Sequence, residues 1–220
     1  MRHKTARPFT LIELIAVMGV MIVLAAVAIP AYSSLFAGRK TTLAANQLNG
    51  AVMEARAHAV SAKLYTALVF VKDGNGYKSF RMAELYHDAE AEADGDETSP
   101  YEWRRWAPGT AFVLLPENTM IPASTENFGT TSKAESGKEG NKGTGEPEKV
   151  TKLTNSGISG SSAPAIIFKP NGQLAGTGNK NMVVRFVETN RYEANAGNTP
   201  KLPLNINWLT CKTKFLDPVE

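Results

Sequence analysis

Residues 9–29 read FTLIELIAVMGVMIVLAAVAI, 21 positions carrying a single charge, Glu13. A helix rising 1.5 Å per residue makes that run about 30 Å long, the thickness of a bilayer's hydrocarbon core. An ordinary signal peptide has an apolar region of only about 7–15 residues. Ala26-Val27-Ala28 imitates a small-x-small cleavage site, but Pro30 comes directly after the run and the helical pattern continues past Ser33. The run therefore predicts a transmembrane segment over 9–29 that stays attached to the rest of the chain. Arg2, Lys4 and Arg7 stand before it with no acid among them, which holds the N-terminus in the cytoplasm and sends the C-terminal part across.

Those three basic residues equal the whole formal net charge of +3, so residues 9–220 are balanced. The basic excess thus belongs to the N-terminus and is no argument for nucleic acid. Hydrophobic residues make up 43% and charged residues 20% of the 220, enough for a folded core. Cys211 is the only cysteine; no intramolecular disulfide can form, and the expected role is a small buried side chain.

Glu13 is the anomaly in the apolar run. A carboxylate there costs a few kcal/mol unless it is paired, protonated or close to the interface. It either snorkels to the cytoplasmic headgroups or waits for a positive partner from another chain.

Beyond Tyr32 the pattern stays helical but turns amphipathic. Leu48, Val52, Ala55 and Ala59 are spaced 4, 3 and 4 apart, a stripe that predicts one helix over 9–62 whose second half lies on a sheet. Strand-like runs come next at Leu64–Val71 and Tyr77–Tyr86, joined by the hairpin signal Asp73-Gly74-Asn75-Gly76. Further runs stand at Ala111–Leu115, Ala165–Phe168, Met182–Glu188, Leu204–Thr210 and Lys212–Phe215. The expected class is α+β, a long N-terminal helix packed on an antiparallel β-sheet head over 63–220. Asn118–Ser162, rich in Gly, Ser, Thr, Lys and Glu, has no apolar period and reads as a long flexible loop over 118–162.

Residues 8–32, PFTLIELIAVMGVMIVLAAVAIPAY, resemble the signal of type IV prepilins and type II secretion pseudopilins. That pattern has a short basic leader, a cleavage point, an aromatic first mature residue, a carboxylate four residues on, and an apolar helix interrupted by proline. The resemblance makes residues 1–8 a cytoplasmic leader, and Pro8 and Phe9 the site of processing and methylation. Phe9 and Glu13 become the filament-assembly pair, in which the methylated amine of one subunit meets the carboxylate of a neighbour. Pro30 becomes the helix bend, since proline removes a backbone donor. Pro8 stands where the family has glycine.

The head is similar to H-type minor pseudopilins (GspH/FimT-like) in AVMEARAHAV at Ala51–Val60, AIIFKPNGQL at Ala165–Leu174 and LNINWLTCKTKF at Leu204–Phe215, with Cys211 where a turn glycine is usual. The resemblance implies a single-pass inner-membrane protein with a periplasmic head. Its partners would be other pilins and the prepilin peptidase/methyltransferase, and its role membership of a secretion pseudopilus or pilus-like filament.

Other chemistry is thin. There is no G-x-S-x-G, and Cys211 has no histidine near it in sequence, so no enzyme is expected. No cofactor is expected either. Asp88, Glu90, Glu92, Asp94 and Asp96 form an acidic run around Gly95. Alternating carboxylates suit Ca²⁺, but the terminal glutamate spacing of an EF-hand is missing, and a solvated acidic loop is the favoured reading. DNA binding, as in FimT-like minor pilins active in uptake, is the alternative function. Arg185, Arg191, Lys201, Lys212 and Lys214 would then meet phosphates and Trp208 would stack; Glu188 and Glu193 interrupt that set.

Overall fold

The computed structural model describes residues 10–88, 99–131, 146–153, 156–177 and 180–216, and inside its long helix it leaves out the side chains of residues 27 and 29–38. Helix α1 spans Leu11–Ala62. It crosses the boundary between two compact units, residues 1–39 and 40–220, and its backbone stays α-helical through Pro30. Lys63 ends it by turning left-handed, with φ of 56°. The Leu64 N–H then reaches back to the Ala59 carbonyl at 3.3 Å, which satisfies an orphan carbonyl of the last turn.

Strands β1 (Tyr65–Asp73) and β2 (Gly76–His87) form the expected hairpin. Asp73 faces Gly76 across a two-residue turn in which Gly74 takes φ of 63°, a conformation glycine enters without strain. Nine more strands are described: β3 (Tyr101–Trp106), β4 (Val113–Leu114), β5 (Thr119–Pro122), β6 (Phe128–Thr130), β7 (Lys149–Thr151), β8 (Ser162–Phe168), β9 (Met182–Glu188), β10 (Leu202–Ile206) and β11 (Thr213–Phe215). A short helix α2 (Thr189–Ala194) comes directly after β9. The class is α+β.

The pairing has two parts. β1 pairs with both β2 and β8, β8 with β7, β7 with β3 and β3 with β2, so the hydrogen-bonding path closes into a five-membered ring. From the N-terminal half of β2 the sheet runs on through β5, β9, β10 and β11, with β4 on β2 and β6 on β9.

Alternation along the strands separates two cores. Ala67, Val69, Ala83, Leu85, Ala165 and Ile167 share a cluster with Tyr101 and Val150; alanine at several of these positions suits the narrow interior of a small ring. Leu68, Phe70, Phe80, Met82, Ile166 and Phe168 point the other way. They meet Leu48, Val52, Ala55 and Ala59 of α1, together with Val184, Phe186, Leu204 and Ile206. Each large side chain so buried contributes about 1.5–3 kcal/mol.

Two expectations need correction. Asn118–Ser162 is not one long flexible loop: β5, β6 and β7 lie inside it, and Met120, Ile121, Phe128, Val150 and Leu153 are buried. The signal was missed because these strands are three or four residues long and are held by β9, β3 and β8 rather than by one another. β5 also passes so near β2 that a Cβ on Gly76 would stand 2.7 Å from the Ile121 carbonyl. The strand expected over Leu204–Thr210 is Leu202–Ile206; Asn207 then begins a turn, its Oδ1 accepting from the backbone N–H groups of Leu209 and Thr210.

Candidate functional site

The start of α1 is built by its own sequence. Thr10 donates from its backbone N–H and from Oγ1 to Glu13 Oε2, each at 3.0 Å, and the Glu13 N–H donates to Thr10 Oγ1 at 3.4 Å. This is a capping box, the reciprocal arrangement that a T-x-x-E sequence favours at a helix N-terminus. It gives Glu13 a partner within its own chain, beside the snorkelling and intersubunit readings. The spacing of Thr10 and Glu13 carried that signal.

The side chains after the box have little to pack on. Leu11, Ile12, Leu14, Ile15, Val17, Met18 and Val20–Leu24 are all 56–79% exposed, all round the helix. Contiguous apolar surface of this extent requires lipid or protein cover. Among the described residues no helix is long and apolar enough to cross a membrane. The described side chains run unbroken only to Ala26, while the apolar run continues in sequence to Ile29. Pro8 and Phe9 lie outside the described residues, as does the side chain of Pro30.

A polar junction fixes the other end of α1. Glu84 on β2 is 2% exposed. Arg105 on β3 donates from Nε to Glu84 Oε2 at 2.7 Å and from Nη2 to Oε1 at 3.3 Å, and His58 Nε2 on α1 lies 3.2 Å from the same Oε1. The Arg105 hydrogen bond, against the cost of burial and aided by His58, holds the Glu84 carboxyl below the usual carboxylate range. Nearby, Arg56 Nε donates to the Gly172 carbonyl at 3.0 Å, and the Cys211 thiol meets the same oxygen at 3.2 Å. Cys211 is buried, burial pushes its thiol up, and it holds φ of 52°. That is the left-handed conformation a turn glycine adopts without penalty. Thr213 Oγ1 donates to Asn49 Oδ1 at 2.7 Å and ties β11 to the helix.

The other candidate residues do not converge. Asp88 is described, its N–H bonded to the Pro100 carbonyl at 2.9 Å; Glu90, Glu92, Asp94 and Asp96 lie outside the described residues. Among the described residues no group of three His, Cys, Asp or Glu side chains could hold a metal ion. Of the cations considered for DNA, Arg185 is buried on β9 at 1% exposure, where burial disfavours its charge and Glu126 offsets part of that. Arg191 is paired with Glu188 at 2.9 Å. Trp208 is half-buried against the helix–sheet core, whereas Lys212 and Lys214 are exposed. Arg185 is therefore withdrawn from a phosphate-binding role, while Arg191 is ion-paired yet 56% exposed.

No model of a known protein family matches the chain, and no curated protein matches it in sequence. Among solved structures it is similar to the crystal structure of the Pseudomonas aeruginosa type IV minor pilin FimU. The identity is 12% and the TM-score 0.41, over 83% of this chain and 92% of that one.

Proposed function

We propose that the chain is a membrane-anchored, non-enzymatic subunit of a type IV pilin-like filament, of the H-type minor pseudopilin kind. The observation that carries the proposal is the segment Leu11–Leu24, apolar on every side and exposed, opening with the Thr10–Glu13 box. A globular domain has no use for such a surface, but a subunit stored in a bilayer and then packed among neighbouring helices does. In the first state lipid covers the segment; in the second, helices of other subunits do.

On this reading a prepilin peptidase cuts between Pro8 and Phe9, and the new α-amino group is methylated. That cation then meets Glu13 of a neighbour. The head, residues 63–220, stays in the periplasm and joins a short filament that drives secretion or forms a pilus. The test is the intact mass of the protein extracted from native membranes. The expected species begins at a methylated Phe9 and resists alkaline extraction. A chain still starting at Met1, or one beginning after Ala28, contradicts the assignment.

A further inference from the structure

We propose that the outer edge of β4 accepts an added strand, an extended segment of another polypeptide. That segment is apolar at alternate positions and carries a lysine or arginine on the side facing α1. The site lies wholly within the head and stands apart from the filament reading.

β4 pairs with β2, and among the described residues nothing pairs with its other side. The strands before and after it along the same side of β2 are covered, β3 by β7 and β5 by β9. Leu114 faces Ser79, and the Leu115 N–H donates to the Lys78 carbonyl at 2.8 Å. Hydrogen bonds in an antiparallel ladder fall on alternate residues, so the Leu114 N–H and C=O point away from β2. Phe112, Val113 and Leu114 are 40%, 38% and 72% exposed. The edge at 112–115 holds neither charge nor proline, the usual means of blunting an open strand.

Side chains alternate across a strand, which gives this edge two different margins. Phe112 and Leu114 take the face away from α1, where the Phe112 ring stands edge-on to Trp106 at 5.4 Å. Val113 takes the α1 side and borders a cavity of about 230 Å³ floored by Leu68, Phe80 and Met82. Glu54 borders the same cavity; it is exposed and has no ion-pair partner among the described residues. Arg81 borders it too, but its guanidinium is held by the Thr110 carbonyl at 2.8 Å. A lysine or arginine beside Val113 lays its methylenes on the apolar floor and brings its cation to Glu54. Backbone groups at strand spacing thus select an extended chain, Phe112 and Leu114 select apolar side chains, and Glu54 selects the cation. A second β4 offers only Phe, Val and Leu to that carboxylate. Residues 89–98 and 132–145 contain no apolar side chain larger than alanine, which leaves another polypeptide as the source.

The test uses the full-length protein in detergent micelles and the fluorescently labelled peptide Ser-Val-Lys-Val-Ser-Val, read by anisotropy against empty micelles. Its valines fall beside Phe112 and Leu114 and its lysine beside Val113. Saturable binding is expected. N-methylating the valines removes the N–H groups aimed at β4 and should weaken binding at least about tenfold. Leu114→Pro should do the same without lowering the unfolding midpoint, since β2 is bonded through the residues on either side. Glu54→Lys should weaken binding of the lysine peptide and favour its glutamate counterpart. No saturable binding, equal binding of the N-methylated peptide, or an unchanged preference in Glu54→Lys overturns the proposal. If Leu114→Pro unfolds the head, the N-methylated peptide on the wild-type chain decides. Self-association of the chain that Leu114→Pro abolishes assigns the edge to a second copy and overturns it as well.

Discussion

At the scale of the residue, Glu84 and Glu13 show how far one carboxylate's meaning depends on what surrounds it. Glu84 is a buried acid whose charge is held by Arg105 and His58. The acid and its arginine differ in what each leaves behind when removed. Arg105 is 56% exposed, so deleting the acid by Glu84→Gln lets the guanidinium turn to water. Deleting the arginine by Arg105→Met leaves a buried carboxylate with only His58 beside it. We expect Arg105→Met to lower stability more than Glu84→Gln does, the latter by about 1 kcal/mol, read from thermal or denaturant unfolding of the full chain in detergent.

The pH dependence is set by the direction of the shift. The folded pKa of Glu84 is depressed, so the junction's stability is present above the unfolded carboxyl value, about 4.3. It is lost as pH falls through the lower folded value. The difference between wild type and Arg105→Met should therefore shrink in acid below about pH 4. A difference that grew there would mean that Arg105 does not hold the Glu84 charge.

The elements were unequally legible in the sequence. The helix stripe at Leu48, Val52, Ala55 and Ala59 named the buried face of α1, and Asp73–Gly76 named the hairpin, because both signals are local. β3 was missed because its apolar residues Tyr101, Trp103 and Trp106 break the period of two. The register shows the cause. Arg105 faces Glu84 and Trp103 faces Leu85, so Arg104 is an extra residue, a bulge that resets the alternation.

β5, β6 and β7 escaped for a different reason: each is stabilised by partners distant in sequence, which no window along the chain can see. The Glu84–Arg105–His58 junction was hidden in the same way, since its residues come from three elements. The Thr10–Glu13 box was also missed, although its T-x-x-E spacing is local and carries the signal. The strands within 118–162 give a direct check: limited proteolysis should leave 119–130 and 149–153 uncut while the head is folded. Early cleavage inside Thr119–Pro122 or Phe128–Thr130 would show that these segments do not hold their place in the sheet.

For the whole molecule, the arrangement divides labour along one helix. Leu48, Val52, Ala55 and Ala59 serve the head's core, and Leu11–Leu24 is apolar on every side. The head meanwhile closes on itself through the β1–β2–β3–β7–β8 ring, which leaves fewer open strand edges.

Assembly through the helix N-terminus can be separated from a purely local role for Glu13. Glutamine replaces glutamate in a capping box with little loss, since its amide oxygen still accepts from Thr10. Glutamine is also cheaper than a carboxylate in lipid. If capping or snorkelling is all that Glu13 does, Glu13→Gln is silent and Thr10→Ala, at about 1 kcal/mol, is the worse substitution. If Glu13 meets the amine of a neighbouring Phe9, Glu13→Gln leaves that buried cation unpaired at a cost of about 3–5 kcal/mol. The measurement is crosslinking of full-length Glu13→Gln to neighbouring subunits in native membranes, beside Thr10→Ala and wild type. Glu13→Gln is expected to lower the yield by more than about a hundredfold, with insertion and head folding intact, while Thr10→Ala retains most of it. Wild-type crosslinking by Glu13→Gln would contradict the pairing and leave an anchored protein that does not assemble through this residue.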